Sequence, residues 1–133
     1  MKNQDLYWII IIIVGIWLVF SLLPHDEVKL GNNYIYDAER QHILGAIDIP
    51  PVVDNYKHNK RFIVAKQSPT AFTDAIYDKM EYNYYLGRDT AYYWIIDKQT
   101  GKFWGPVDYN KYDSLAKNLN IPVSIIFKNS REP

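Results

Sequence analysis

His25, His42 and His58 are the residues of this 133-residue chain best suited to moving protons or holding a metal near neutral pH. Their spacing favours neither task. No His-x-x-x-His or His-Glu-x-x-His pattern occurs, so a zinc site has no support. His25-Asp26-Glu27 sets three ligating types in a row, but a short charged run beside an apolar segment reads as a solvated flank. Glycosidase-type chemistry needs two carboxyl groups facing one bond. Asp48 with Asp54, or Asp97 with Asp108, supply the residue types, and nothing in their spacing places either pair in one cleft. Nucleophilic catalysis needs a serine or cysteine beside a base, and no serine sits in a Gly-x-Ser-x-Gly turn. Gly31, Gly45, Gly87, Gly101 and Gly105 are isolated, so there is no phosphate loop. Lys66 and Gln67 end a hydrophobic run, where side chains often line a site, although a lysine there also serves as a solvated edge charge. The sequence names no reaction. The expectation is a protein without catalytic residues, metal or cofactor.

Composition narrows the partners. Fifteen basic and fifteen acidic residues cancel. Lys2 and Asp5 are the only charges before residue 24, so the remainder is balanced too. Phosphate backbones select cationic surfaces, so nucleic acid is not expected as a partner. The chain has no cysteine, which rules out a disulfide-linked partner, thiolate metal sites, thiol catalysis and lipid attachment at a lipobox. Aromatic residues reach 16%, with 12 Tyr and 4 Trp, and this surplus is the one compositional anomaly. Tyr93, Trp94 and Phe62 read as core. Tyr34, Tyr36, Tyr84, Tyr92 and Trp104 are the candidate partner-binding residues, because such rings offer large contact area at low entropic cost.

The elements that must position these residues begin with an anchor. Leu6 to Leu23 carries no charge, and its 18 residues span ~27 Å as a helix, close to the thickness of a bilayer core. In water Ile9–Ile13 would favour a strand, but lipid requires each backbone group to bond within its own segment. Tyr7 and Trp8 suit the interface. An uncleaved anchor is preferred over a cleaved signal, since the apolar run is long and Leu22-Leu23-Pro24 follow the only plausible cut. Lys2 and an acidic far flank favour the N-terminus inside and the domain outside. The expected organisation is a tail at 1–5, a transmembrane anchor at 6–23, a juxtamembrane linker at 24–29, a small domain at 30–127 and a flexible tail at 128–133.

Within the domain, Leu30–Asp37 reads as a turn entering a strand, with Tyr34 and Tyr36 on one face. Ala38–Gln41 is the expected loop and His42–Pro51 a second strand. Val52–Arg61 is polar and reads as a loop, and Arg61–Gln67 as a strand. Ser68, Pro69 and the spacing of Phe72, Ala75, Ile76 and Met80 predict a helix running to about Tyr82. Tyr92–Ile96 is apolar on both faces, as in a central strand. Asp97–Gly101 is turn chemistry, Lys102–Trp104 starts a return strand, and Pro106 is expected to stop it. Asp108 is a candidate N-cap for a helix carrying Tyr112, Leu115, Ala116 and Leu119. Val123–Phe127 is expected to be a last short strand.

The Leu30-Gly31-x-x-Tyr34 start, the Ala65-Lys66-Gln67 strand end and the Tyr93-Trp94-Ile95-Ile96-Asp97-Lys98 hairpin leading to Gly105-Pro106 occur in that order. Over roughly residues 30–122 they resemble a family of short uncharacterised bacterial envelope proteins, many of them lipoproteins. The resemblance implies a small single domain after an N-terminal signal and no assigned activity. This chain departs from it in having no lipobox cysteine, which leaves the helix as the anchor. The expected architecture is α+β: one transmembrane helix, then an antiparallel sheet of about four or five strands with one or two helices on one face. The expected function is a non-enzymatic, membrane-anchored envelope protein that engages a protein partner. The alternatives are an immunity-type protein neutralising a toxin at the membrane, and a small carboxylate-dependent enzyme.

Overall fold

A computed structural model describes residues 2–22, 26–69 and 82–128. The first element is α1 (Asn3–Leu22), 20 residues with no buried side chain. At about 1.5 Å per residue it reaches about 30 Å, so it is long and apolar enough to cross a bilayer, a property it shares with N-terminal signal sequences. Its Ser21 hydroxyl donates to the Trp17 carbonyl at 2.8 Å, which leaves no polar side-chain group unsatisfied at that turn.

Two antiparallel sheets follow. The first consists of β1 (Glu27–Gly31), β2 (Tyr34–Asp37) and β3 (His42–Leu44), in that order. β1 begins at Glu27, within the stretch expected to be linker. Asn32 and Asn33 form the connection to β2 at φ 51° and 65°. A two-residue hairpin turn demands this conformation, and asparagine tolerates it. β3 is shorter than the strand expected over His42–Pro51. The chain turns at Gly45 and comes back, so that Ile43 and Ile49 exchange backbone hydrogen bonds at 3.1 and 2.9 Å. Two contacts explain the reversal: Asp48 accepts from the Gly45 N–H at 3.2 Å, and the Tyr34 ring fills the space a Gly45 side chain would need.

The second sheet has the order β4 (Val53–His58), β5 (Phe62–Gln67), β6 (Tyr92–Asp97) and β7 (Phe103–Val107). The strands therefore divide between two sheets rather than forming one. β4 occupies the segment expected to be a loop. It is an edge strand with exposed polar residues, as edges commonly are. A register shift between Val53 and Asn55 adds a residue, so Val53 and Tyr56, three apart, both reach the same core. That bulge hides the strand from a test for strict alternation. β7 runs through Pro106, which was expected to stop it. β7 is the opposite edge, with its own register shift, and an edge or bulge tolerates a missing N–H.

β5 and β6 are central and covered on both faces, as the two-faced apolar run predicts. Ile63, Ala65, Trp94 and Ile96 pack against Leu30, Tyr34, Ile43 and Ile49 from the first sheet and its turn. Phe62, Val64, Tyr93 and Ile95 pack against α2 (Tyr109–Asn118) and the C-terminal segment. The fold is thus α+β in three layers, the larger sheet in the middle. Asp108 caps α2 by accepting from the Lys111 N–H at 2.8 Å. Asn120 ends it at φ 53°, with the Ile121 N–H donating to the Ala116 carbonyl at 3.0 Å. Val123–Phe127 is not a strand. Val123–Ile125 is a 3₁₀ turn, and the Phe127 N–H donates to the Tyr112 hydroxyl at 3.0 Å instead of to a ladder. The helix expected after Ser68 lies largely outside the described residues.

Candidate functional site

The buried polar side chains show first where chemistry is already committed to structure. Gln67 is fully buried, accepts from Trp94 Nε1 at 2.6 Å, and donates to the Pro50 carbonyl and the Tyr84 hydroxyl, both at 3.0 Å. Asp97 receives Arg61 Nε at 3.3 Å and an Arg61 terminal nitrogen at 2.9 Å. The Arg61 hydrogen bonds hold the Asp97 carboxyl below the usual carboxylate range against the opposing effect of burial, with the Gln99 and Thr100 backbone N–H groups assisting. Lys98 is buried and its Nζ donates to the carbonyls of Leu30 and Asn59, each at 2.6 Å. Burial lowers its pKa. Asn32 closes this corner by donating to the Lys98 carbonyl at 2.9 Å. Lys98 therefore ties the β1–β2, β4–β5 and β6–β7 turns together, and its ammonium faces carbonyls rather than a cleft.

The carboxylates considered for acid–base work are each held locally. Asp48 caps its own turn, Asp54 accepts from the Ser68 hydroxyl, and Asp97 and Asp108 serve a turn and a helix cap. Among the described residues no three metal-ligating side chains come together. His42 is buried, with Nε2 3.3 Å from Asp37. His58 is exposed at the end of β4, and His25 lies outside the described residues.

The five candidate contact aromatics separate. Tyr34 and Tyr92 are core residues, 4% and 0% exposed. Tyr92 donates its hydroxyl proton to the Gly87 carbonyl at 2.6 Å and accepts from the Leu86 N–H at 2.9 Å. Neither ring offers a face to a partner. Tyr36 is half-buried against Tyr56, with ring centroids 4.4 Å apart. Tyr84 is half-buried beside Tyr92 and takes the Gln67 hydrogen bond. Trp104 is half-buried against the α2 side of the core. Its neighbour Phe103 is the more exposed, at 44%, with Tyr85 at 49%. Phe103 and Trp104 point to opposite faces of β7, and the sequence does not say which face is the open one.

One concavity gathers three lysines. Between the end of the central sheet and the C-terminal segment lies a groove of about 350 Å³, lined by Asn55, Lys57, Lys66, Tyr93, Val123, Ile126, Phe127 and Lys128. Its base is built by strand register: Asn55 pairs with Lys66, and Lys66 with Tyr93, across three adjacent strands. Lys57 stands two residues beyond Asn55, and its Nζ lies 5.5 Å from the Phe127 ring centroid. Tyr93 stacks on Tyr112 at 4.9 Å, and burial pushes its phenol above the ordinary range, so it stays a neutral donor. Burial likewise pushes the Tyr112 phenol up to about 12. Among the described residues no carboxylate lines the groove, and none forms an ion pair with Lys57, Lys66 or Lys128. Lys66 is visible in the sequence as a strand-end lysine. Asn55 and Lys57 are not, because the bulge at β4 disguises their strand.

A family profile described as "Protein of unknown function (DUF3997)" matches residues 26–131. That span holds both sheets, α2 and every groove residue, and leaves α1 outside. No curated protein and no solved structure matches the chain. On the match over most of its length, the chain belongs to the DUF3997 family of proteins of unknown function.

Proposed function

We propose that this chain is a single-pass membrane protein of the cell envelope whose domain binds a partner rather than catalysing a reaction. The observation that carries the proposal is α1: 20 residues, predominantly apolar, with none of its side chains buried against the rest of the chain. Such a helix is stable only in an apolar medium that replaces protein packing. Only four residues separate Leu22 from β1, which holds the domain within about 15 Å of the helix end at ~3.5 Å per residue. Binding rather than catalysis is supported by the uses already made of Gln67, Asp97, Lys98 and Asp108, which join elements.

Alkaline carbonate extraction of native membranes, followed by intact mass of the protein, tests the anchor. The expected result is retention in the membrane pellet with the residues before Leu22 present. A mature chain beginning at Leu22 would show α1 to be a cleaved signal.

A further inference from the structure

We propose that the lysine groove binds a phosphate group borne on a small apolar or ring-containing body. The inference rests on the binding-module reading and gives that module a ligand class. Three lysines line it, Lys57 and Lys66 from the sheet and Lys128 from the C-terminal segment. The chain as a whole has no net charge, so this concentration is local and belongs to the groove rather than to the composition. Ammonium groups that no described carboxylate pairs with sit most favourably beside an anion. The cations are all lysines. Lysine engages phosphate as a point charge with three rotatable donors, without demanding a planar two-point geometry. Asn55 adds an amide donor at the same end.

The remainder of the lining selects what the phosphate is attached to. Tyr93 and Phe127 are buried, with ring centroids 6.1 Å apart, and form an aromatic floor beside the cations. Val123, 81% exposed, forms an apolar wall. A free inorganic anion would leave that surface unused. A volume of about 350 Å³ lies at the small end of ligand sites. Two sources of such a ligand share this chemistry: the headgroup region of an anionic lipid, and a soluble aromatic phosphate.

The test is calorimetric titration of the purified full-length protein in dodecyl maltoside, a detergent without phosphate. The probes are inorganic phosphate, phenyl phosphate and dihexanoyl phosphatidic acid. Saturable binding of phenyl phosphate or the short-chain lipid, tighter than inorganic phosphate, is expected. Whichever of the two binds more tightly identifies the source. Lys57→Gln with Lys66→Gln should weaken binding by at least about tenfold, as loss of a charge-assisted contact does. Lys128→Gln, on an exposed side chain that leaves folding untouched, should weaken it several-fold by the same loss. Lys60→Gln, an exposed lysine outside the groove, should leave it unchanged. The proposal is overturned by no saturable binding of any probe, by inorganic phosphate binding as tightly as both organic probes, by wild-type affinity in the double or the Lys128 variant, or by an equal loss in Lys60→Gln. Carbonate extraction and intact mass report on α1 alone, so failure here and failure of the anchor are separate results.

Discussion

Gln67 ties β5 to β6 and to the segments that precede β4 and β6. Its amide bonds the Trp94 indole, the Pro50 carbonyl and the Tyr84 hydroxyl from a position closed to water. A buried indole N–H that loses its acceptor finds no replacement. Gln67→Met keeps the volume and removes the bonds, and should destabilise the domain by about 2 kcal/mol. Thermal unfolding followed by tryptophan fluorescence measures it, and an unchanged midpoint would mean that these bonds contribute little. Asp97 makes a pH-dependent contribution. Its folded-state pKa lies below the unfolded value of about 3.9, so its stabilisation is fully present above that pH and is lost as the pH falls through the folded pKa. Asp97→Asn should therefore lower stability at neutral pH and flatten the acid limb of a curve of denaturant midpoint against pH. The limb should not vanish, because Asp37 and Asp108 are also lowered, Asp37 by hydrogen bonds that outweigh its burial, Asp108 chiefly by the Lys111 N–H.

Among the elements, β7 depends most on a single position. Gly105 has φ +147°, and a Cβ there would lie 2.5 Å from the Trp94 ring. Both facts exclude a side chain, so Gly105→Ala should cost about 2–3 kcal/mol through overpacking and backbone strain together. Chemical denaturation with near-ultraviolet circular dichroism would register the loss and the displaced indole. The same region shows what the sequence could reveal of the fold. β5, β6, the turn at Asp97–Gly101 and capped α2 are legible because each rests on local rules: a two-faced apolar run, turn residues, a cap and a helical stripe. β4, the length of β7 and the 3₁₀ turn at Val123–Ile125 are not legible. Edge position and bulges decide the first two, and packing of Phe127 against Tyr112 decides the third. The groove inherits that division. Lys66 stands on a legible strand, whereas Asn55, Lys57 and Lys128 reach it through the illegible ones.

For the whole molecule, balanced charge conceals an uneven distribution: three lysines face one groove while the acidic groups of the turns and caps are engaged elsewhere. Under the proposed anchoring, which compartment that groove meets depends on the direction in which α1 would cross a bilayer. Lys2 stands before the helix, whereas the first basic residue after it is Lys29 in β1, with Asp26 and Glu27 in between. The positive-inside bias from one lysine is small, and acidic residues add little to it; on that basis we propose the N-terminus inside for an uncleaved anchor. The absence of cysteine makes the direction directly measurable, because any introduced thiol is the sole target. Lys60 is exposed in the turn between β4 and β5, and Asn3 is exposed at the start of α1. In intact cells a membrane-impermeant maleimide should label Lys60→Cys, and should label Asn3→Cys only after permeabilisation. The opposite pattern would place the domain, and with it the lysine groove, on the inner face, and the proposed phosphate-bearing ligand would then have to be one available there.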